Sequence, residues 1–439
     1  MTQMDTERHA PSSEQFGSML ELANVEPWDY YESLRELGDV VWDEGYNAWL
    51  VLSYDVVKQI ARDDDTTWDL TFRIREDRPA PYGMTDEEWR WFFGFGSPRF
   101  MAMAEGDVHH MAHRWMMRAF TPKVLRTWRE TLFRPVTHAV IDAFIEDGAA
   151  EMGSQFADLL APRVIASAMG LPYQDQDWLD AVDERVLRRF AVKQNTGKPS
   201  LPPGVKEDAF AATNELVDML LPFVEERRGG TANDLISMVW RDADEALGGP
   251  GWDEIDVIGL VGALWEGGSH STRNSTSNLI YLLATQPGLV DELKQGNEKA
   301  VPNFVEETLR LFGPVMFRPR IALRDTKVGD VDVREGEVVL TLMNAAARDG
   351  GHYACPHAID LARPAPRDHL AFFFGPHTCP GQSLARVELE EAAAALVERV
   401  HNLRLDDDKP APILEGVMAR RFHPLNVRFT PGPKLGVSL

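Results

Sequence analysis

The chain has 439 residues, 44% hydrophobic and 26% charged, the balance of a folded protein able to bury a large core rather than of a disordered one. Its formal charge of −24 argues against a general nucleic-acid binder, because the phosphate backbone would repel it. The opening residues are polar, and no later run approaches a membrane span, so a soluble cytoplasmic protein without a membrane anchor is expected. The two cysteines, Cys355 and Cys379, could form at most one bridge, which a cytosolic setting disfavours, so each thiol needs its own explanation.

The first predicted helix is PWDYYESLREL, followed by the β-rich runs VVWDE and AWLVLSY across the hairpin signal EGYN. Pro79 to Met103 is aromatic-rich without clean periodicity and holds Trp89, Trp91, Phe92, Phe93, Phe95 and Phe100. HHMAHRWMMRAFTP puts His109 and His113 at i and i+4, a spacing that can chelate zinc on a helix but lacks an evident third ligand. A solvated or internally satisfied histidine pair is the plainer reading. Helix follows helix through the middle of the chain, with QNTGKPSLPPGV joining two of them.

The run from Asp253 to about Ala284 is apolar on much of its surface, and GGSHS interrupts its pattern near the centre. VEETLRLFG is a helix stopped by Gly313 and Pro314. It places Glu307 and Arg310 on one face, which taken alone suits a solvated ion pair. Short β-like pieces follow (TKVGDVDV, EVVLTLM), then a Pro-rich irregular segment from Gly350 to Asp368, and GQSLARVELEEAAAALVERV closes as a strong helix. The fold class expected is mainly α with a small antiparallel β part.

The decisive stretch is FFFGPHTCPGQSLAR, Phe372 to Arg386. Glycines beside Cys379 allow tight turns and close approach of a flat ligand. A helix begins just beyond, so free N–H groups and the positive dipole end favour the thiolate. Such a thiolate suits a metal ligand, or a nucleophile with His377 as base, and a buried inert cysteine is the structural alternative.

The spacing F-x-x-G-x-H-x-C-x-G-x-x-L-A-R, carried by Phe372, Gly375, His377, Cys379, Gly381, Leu384, Ala385 and Arg386, resembles the haem-binding loop of the soluble bacterial cytochrome P450 superfamily. The resemblance implies a cytochrome P450 fold in a single large domain, residues 26–439 after a polar segment 1–25. It implies haem b with Cys379 as the thiolate ligand of its iron. Phe373 departs from the glycine common there. Pro380 has no N–H to donate to the sulfur, which should lower the iron potential.

Elsewhere Glu307-Thr308-Leu309-Arg310 is similar to the family's E-x-x-R pair, a folding element. Ala358 stands in the place of the third partner that often joins it, with His357 as a substitute. The helix of His109 resembles the family's H-x-x-x-R propionate helix, with His113 replacing the arginine. Arg320 and His377 match the other propionate contacts, and a planar guanidinium suits a carboxylate. Leu260 to Ser275 resembles the oxygen-activating helix, with Gly267 and Gly268 as its small residues, His270 at the acid position, Ser271 as the alcohol and Thr272 behind it. His270 could relay protons, or Glu266, one turn earlier, could be the acid.

Val261, Leu264, Trp265, Val315, Phe317 and Met418 are the expected substrate-pocket residues, and they suggest a small apolar substrate with room for an aromatic body. The lid aromatics are expected to be mostly core, and QNTGKPSLPPGV reads as a second mobile flap. The reaction implied is insertion of one oxygen atom from O2, as hydroxylation or oxidative O-dealkylation. Its electrons would come from a separate ferredoxin or flavodoxin with its reductase, since no nucleotide fingerprint or cysteine cluster is present. Arg114 and Arg118 could form a docking patch. A peroxide-driven peroxygenase and a non-catalytic haem-binding sensor or carrier are the rival functions.

Overall fold

The computed structural model describes residues 11–437 except 102, 105, 194–199 and 247–250. The predicted hairpin and its flanks form α1 Trp28–Arg35, β1 Val40–Asp43, β2 Ala48–Val51, α2 Tyr54–Arg62 and β3 Trp68–Leu70. Next come α3 Asp86–Gly94, α4 Gly106–Ala119, α5 Pro122–Trp128, α6 Arg134–Asp142, β4 Ala149–Glu151 and α7 Asp158–Met169. The helical middle continues with α8 Gln176–Lys193, α9 Val205–Glu226, α10 Leu235–Ala246, α11 Glu254–Thr285, α12 Leu289–Gln295 and α13 Ala300–Phe312. Then follow β5 Phe317–Ala322, β6 Thr326–Val328, β7 Val331–Val333, β8 Val338–Leu342 and α14 Met343–Ala346. The chain closes with α15 Gln382–Arg399, β9 His401–Leu405, β10 Ile413–Glu415, β11 Arg421–His423 and β12 Asn426–Thr430.

These elements fall into two compact units. The first takes the described residues up to 71 with 306–378 and 413–421. Its five-stranded sheet runs β1-β2-β8-β5-β3, antiparallel except where β2 lies parallel to β8. Val40 pairs with Val51 and Asp43 with Ala48 across the predicted hairpin, with Asn47 in the turn at φ 52°, a value asparagine tolerates well. Val51, Val57, Val339 and Phe373 belong to one apolar cluster, and Leu50, Phe317 and Leu340 to another. Part of the polar N-terminal segment is built into this unit. The Asp43 carboxylate accepts the Ser18 hydroxyl and the Met19 N–H, both at 2.8 Å, and Met19 is buried.

The second unit takes 72–305, 379–412 and the described residues from 422 on. α11 runs through it, packing on α7, α9 and α15. A capping box of Asp253 and Asp256 starts α11, and the helix continues unbroken through GGSHS. The hydroxyls there stay on the helix: Ser269 donates to the Trp265 carbonyl (2.8 Å), Ser271 to Gly267 (2.5 Å) and Ser275 to Ser271 (3.0 Å). The aromatic stretch turns out to contain α3, started by a second capping box of Thr85 and Glu88. Trp89, Phe92, Phe93 and Phe100 belong to one apolar cluster, while Trp91 is half-buried. Gly262 makes this docking possible, because a Cβ there would stand 2.4 Å from the Phe95 ring.

Candidate functional site

In the first unit the E-x-x-R pair is no surface feature. Glu307 and Arg310 are wholly buried, joined by two hydrogen bonds of 2.7 and 2.9 Å. Arg310 also donates to the carbonyls of Ala347, Pro356 and Ala358. The third partner is Arg363, whose Nε meets Glu307 at 2.9 Å, and His357 is exposed. Ala358 contributes its backbone oxygen, so a side chain at that position is dispensable. Burial alone would raise the Glu307 carboxyl, but the two guanidiniums outweigh it and hold it below its ordinary value.

Two expected propionate contacts also lie in this unit. Arg320 binds Asp64 through Nε and Nη2 at 2.6 and 2.9 Å and the Pro319 carbonyl through Nη1. These bonds use three of the five N–H groups an arginine carries, leaving two for a further carboxylate. His377 Nε2 is 3.0 Å from Asp65. Gly375 takes φ +75° at the head of the loop, and a Cβ there would strike the Ala61 carbonyl at 2.1 Å. Phe372 is half-buried. Phe373, the residue standing where glycine is common, adopts φ 59°, a left-handed backbone that costs a non-glycine residue about 1–2 kcal/mol. Burial of its ring and the Arg320 guanidinium 4.7 Å from the ring centroid offset that strain.

Of the pocket residues expected here, Phe317 is a core side chain with an edge contact to Tyr46, centroids 5.8 Å apart. Val315 is half-buried and bridges to Ala419, while Met418 is 38% exposed.

In the second unit Cys379 stands just ahead of α15, partly exposed, with its carbonyl accepting the Gln382 N–H at 3.4 Å. His109 is buried on α4, and His113 is half-buried one turn on, ring centroids 5.7 Å apart. On α11 a Cβ at Gly267 would meet nothing within 4 Å, whereas one at Gly268 would touch Ile165 at 3.0 Å. Thr272, Val261, Leu264 and Trp265 are buried.

His270 is hydrogen-bonded through Nδ1, while its buried Nε2 has no hydrogen-bond partner among the described residues. Arg273 Nη2 lies 2.8 Å from its Nδ1, and since arginine only donates, the ring proton belongs on Nε2. Nε2 lies 3.3 Å from Asp183 on α8, which Arg273 also reaches at 3.0 Å. Burial would raise the Asp183 carboxyl, yet His270 and Arg273 together hold it below its ordinary value. Glu266 is tied to Arg189 of α8, a guanidinium that also reaches the Phe92 carbonyl (2.6 Å) and the Thr213 hydroxyl (3.2 Å). Neither Asp183 nor Arg189 was singled out by sequence reasoning. The charges on the predicted helix were visible, but not which face of α8 crosses it.

The donor set fits a haem-thiolate group. Within the second unit it comprises a partly exposed thiol at the start of an 18-residue helix, the imidazoles of His109 and His113, and an open position at Gly267 on the long helix; the first unit separately offers the Arg320 guanidinium and the His377 imidazole. The chain belongs to the cytochrome P450 family, whose model matches residues 88–427.

It is 30% identical to the vitamin D3 dihydroxylase of Streptomyces griseolus over 86% of this chain and 87% of that protein. It is 29% identical to the pentalenic acid synthase of Streptomyces avermitilis over 90% and 93%. Among solved structures it is similar to the substrate-free cytochrome P450 CYP150A6 of Mycobacterium marinum, with TM-score 0.75, 25% identity and coverage of 95% and 98%. The family is one of monooxygenases that use a haem-thiolate iron cofactor. No helix among the described residues is long and apolar enough to cross a membrane.

Proposed function

We propose that this chain inserts one oxygen atom from O2 into a small apolar organic substrate, by hydroxylation or oxidative O-dealkylation, with electrons from a separate ferredoxin or flavodoxin. Haem b, bound through the Cys379 thiolate, would supply the dioxygen activation. The observation that carries the reading is the loop Phe372–Arg386, with its cysteine at the head of α15, inside the matched family region. His109, His113, Arg320 and His377 would hold the haem carboxylates, with Arg320 and His377 braced by Asp64 and Asp65.

Val261, Leu264 and Trp265 on α11 are the pocket residues the burial pattern supports best. Ser271 donates its proton to Gly267, so its oxygen keeps lone pairs to accept from an ordered water. His270 can pass a proton only through Nε2, toward Asp183, because Arg273 occupies Nδ1. That engagement favours a second reading, turnover driven by hydrogen peroxide, over a free imidazole shuttle.

The test is the carbon-monoxide difference spectrum of the reduced, purified protein. The haem-thiolate band is expected in the wild type and its loss in Cys379→His. A wild-type protein without haem, or an unchanged band in the variant, rules the assignment out. Product with peroxide alone, and none with any electron donor, would select the second reading.

A further inference from the structure

In the second unit one guanidinium ties three helices together near the middle of α11. Arg273 reaches His270 on its own helix through Nη2 at 2.8 Å and Asp183 on α8 through Nη1 at 3.0 Å. Its Nε lies 3.5 Å from Asp158 on α7. Each nitrogen of the fork therefore faces a different group, and the side chain is only 11% exposed. The imidazole of His270 also packs against Phe190 of α8, with ring centroids 4.9 Å apart.

Two independent contacts place the ring proton. Arginine only donates, so Nδ1 is an acceptor toward Nη2. Nε2 stands 3.3 Å from Asp183 Oδ1, where a bare lone pair would be repelled by the carboxylate and an N–H is attracted. Both of these atoms are buried and have no hydrogen-bond partner among the described residues. A ring that relays protons takes one at one nitrogen and releases one from the other. Here a proton arriving at Nδ1 would meet an arginine N–H, and a guanidinium does not give its protons up. Asp158 and Asp183 hold that guanidinium from two other helices, so it does not simply swing aside. The charges at the acid position of α11 are reversed: α11 carries the cation and the imidazole, and α8 brings the carboxylate.

We propose that Arg273 is a positioning residue that closes His270 as a proton relay: anchored by Asp183 and Asp158, it holds the imidazole as the Nε2–H form with Nδ1 capped. The inference rests on the monooxygenase reading and adds to it the residue that sets how protons reach the site. With the ring closed, protons come through water or with the oxidant. Hydrogen peroxide brings its own, so a basal peroxide-driven rate does not need the ring. With Nδ1 opened, the same imidazole becomes an acid–base group that can take a proton from hydrogen peroxide and hand it back.

The first measurement needs no turnover. It is nitrogen NMR of the reduced, carbon-monoxide-bound holoenzyme carrying isotope-labelled histidine, with the His270 signals assigned by their loss in His270→Phe. The wild type is expected to show an unprotonated Nδ1 and a protonated Nε2. In Arg273→Met, which keeps an unbranched stem and removes the donors, the Nδ1 signal should move. A proton on Nδ1 in the wild type, or an unmoved Nδ1 in the variant, overturns the proposal. The second measurement is guaiacol oxidation by hydrogen peroxide, normalised to the carbon-monoxide band. Arg273→Met should raise kcat/KM for peroxide about a hundredfold, the lower end of what a positioned acid–base group contributes. Asp183→Leu, which removes one of the two anchors, should give a smaller rise. Arg273→Met/His270→Phe should return the rate to that of the wild type. An unchanged rate in Arg273→Met, or a rise that survives in the double variant and so comes from a loosened helix, also overturns the proposal. The carbon-monoxide band itself reports on the monooxygenase reading, and the ring nitrogens report on His270 whether or not that reading holds.

Discussion

Two buried ionic groups in this molecule make an instructive contrast. Around Glu307 in the first unit, one carboxylate meets two guanidiniums, and Arg310 adds three backbone carbonyls, so every charge is matched by short bonds. Around Glu266 in the second unit, the carboxylate meets the Arg189 guanidinium, which lines an otherwise aromatic and aliphatic cavity together with Trp265, whose indole N–H has no acceptor among the described residues. The first network spends every N–H of Arg310 and ties down an irregular segment that has no ladder of its own. The second retains unused N–H groups on the terminal nitrogens of Arg189 and on the Trp265 indole.

That contrast can be broken by substitution. The largest effect is expected at Glu307→Gln, which leaves two buried cations without a counter-charge and should cost about 3–5 kcal/mol in denaturant unfolding. A cost below about 1 kcal/mol, the range of an exposed pair, would show that the network is not the scaffold it resembles. Arg189→Leu alone should cost about 3 kcal/mol because the Glu266 carboxylate then loses its guanidinium, whereas Arg189→Leu/Glu266→Leu should recover most of that. Equal costs for the single and double changes would mean that the stranded charge is not what matters.

Glu388 supplies a third, opposite case. It is wholly buried on α15, one of its oxygens has no partner among the described residues, and burial pushes its carboxyl well above 4.5. The native state therefore holds a proton that the unfolded chain releases above 4.5, so this group takes stability away as pH rises from there toward its raised native value. Glu388→Leu should stabilise by about 1–3 kcal/mol at pH 7 and by less at pH 4, followed by thermal unfolding at both values. The smallest effect is expected at Asp183→Asn, about 1 kcal/mol at pH 7. Because His270 and Arg273 depress the native value below 3.8, the contribution is present above 3.8 and lost as pH falls through the lower native value. A loss that stays constant down to pH 3 would show that the charge on Asp183 is irrelevant.

Much of this was legible from residues alone. The hairpin around Asn47, the stop at Gly313 and Pro314, the Ala-rich closing helix and the cysteine loop all appear where local pattern put them. The GGSHS interruption does not break α11, because the serines return their hydroxyls to the helix carbonyls and packing on three other helices holds the backbone. Phe373 was visible as a departure, but its left-handed backbone was not, since only its burial and the stacked Arg320 make that conformation tolerable. The expected boundary at residue 26 gave no hint that Ser18 and Met19 would bind Asp43. Half of the flap predicted in QNTGKPSLPPGV, residues 194–199, lies outside the described residues.

The sequence by itself determined what depends on neighbours within a turn or two: helix caps, glycine positions, and the spacing that presents Cys379 at a helix start. Only the tertiary structure decided the charge partners, Arg363 for Glu307 at 56 residues, Arg189 for Glu266 at 77 and Asp64 for Arg320 at 256. Capping and periodicity are written in φ, ψ and side-chain spacing along one segment. Which carboxylate a buried guanidinium meets depends instead on which helices cross and which face each turns inward, and no single segment contains that information.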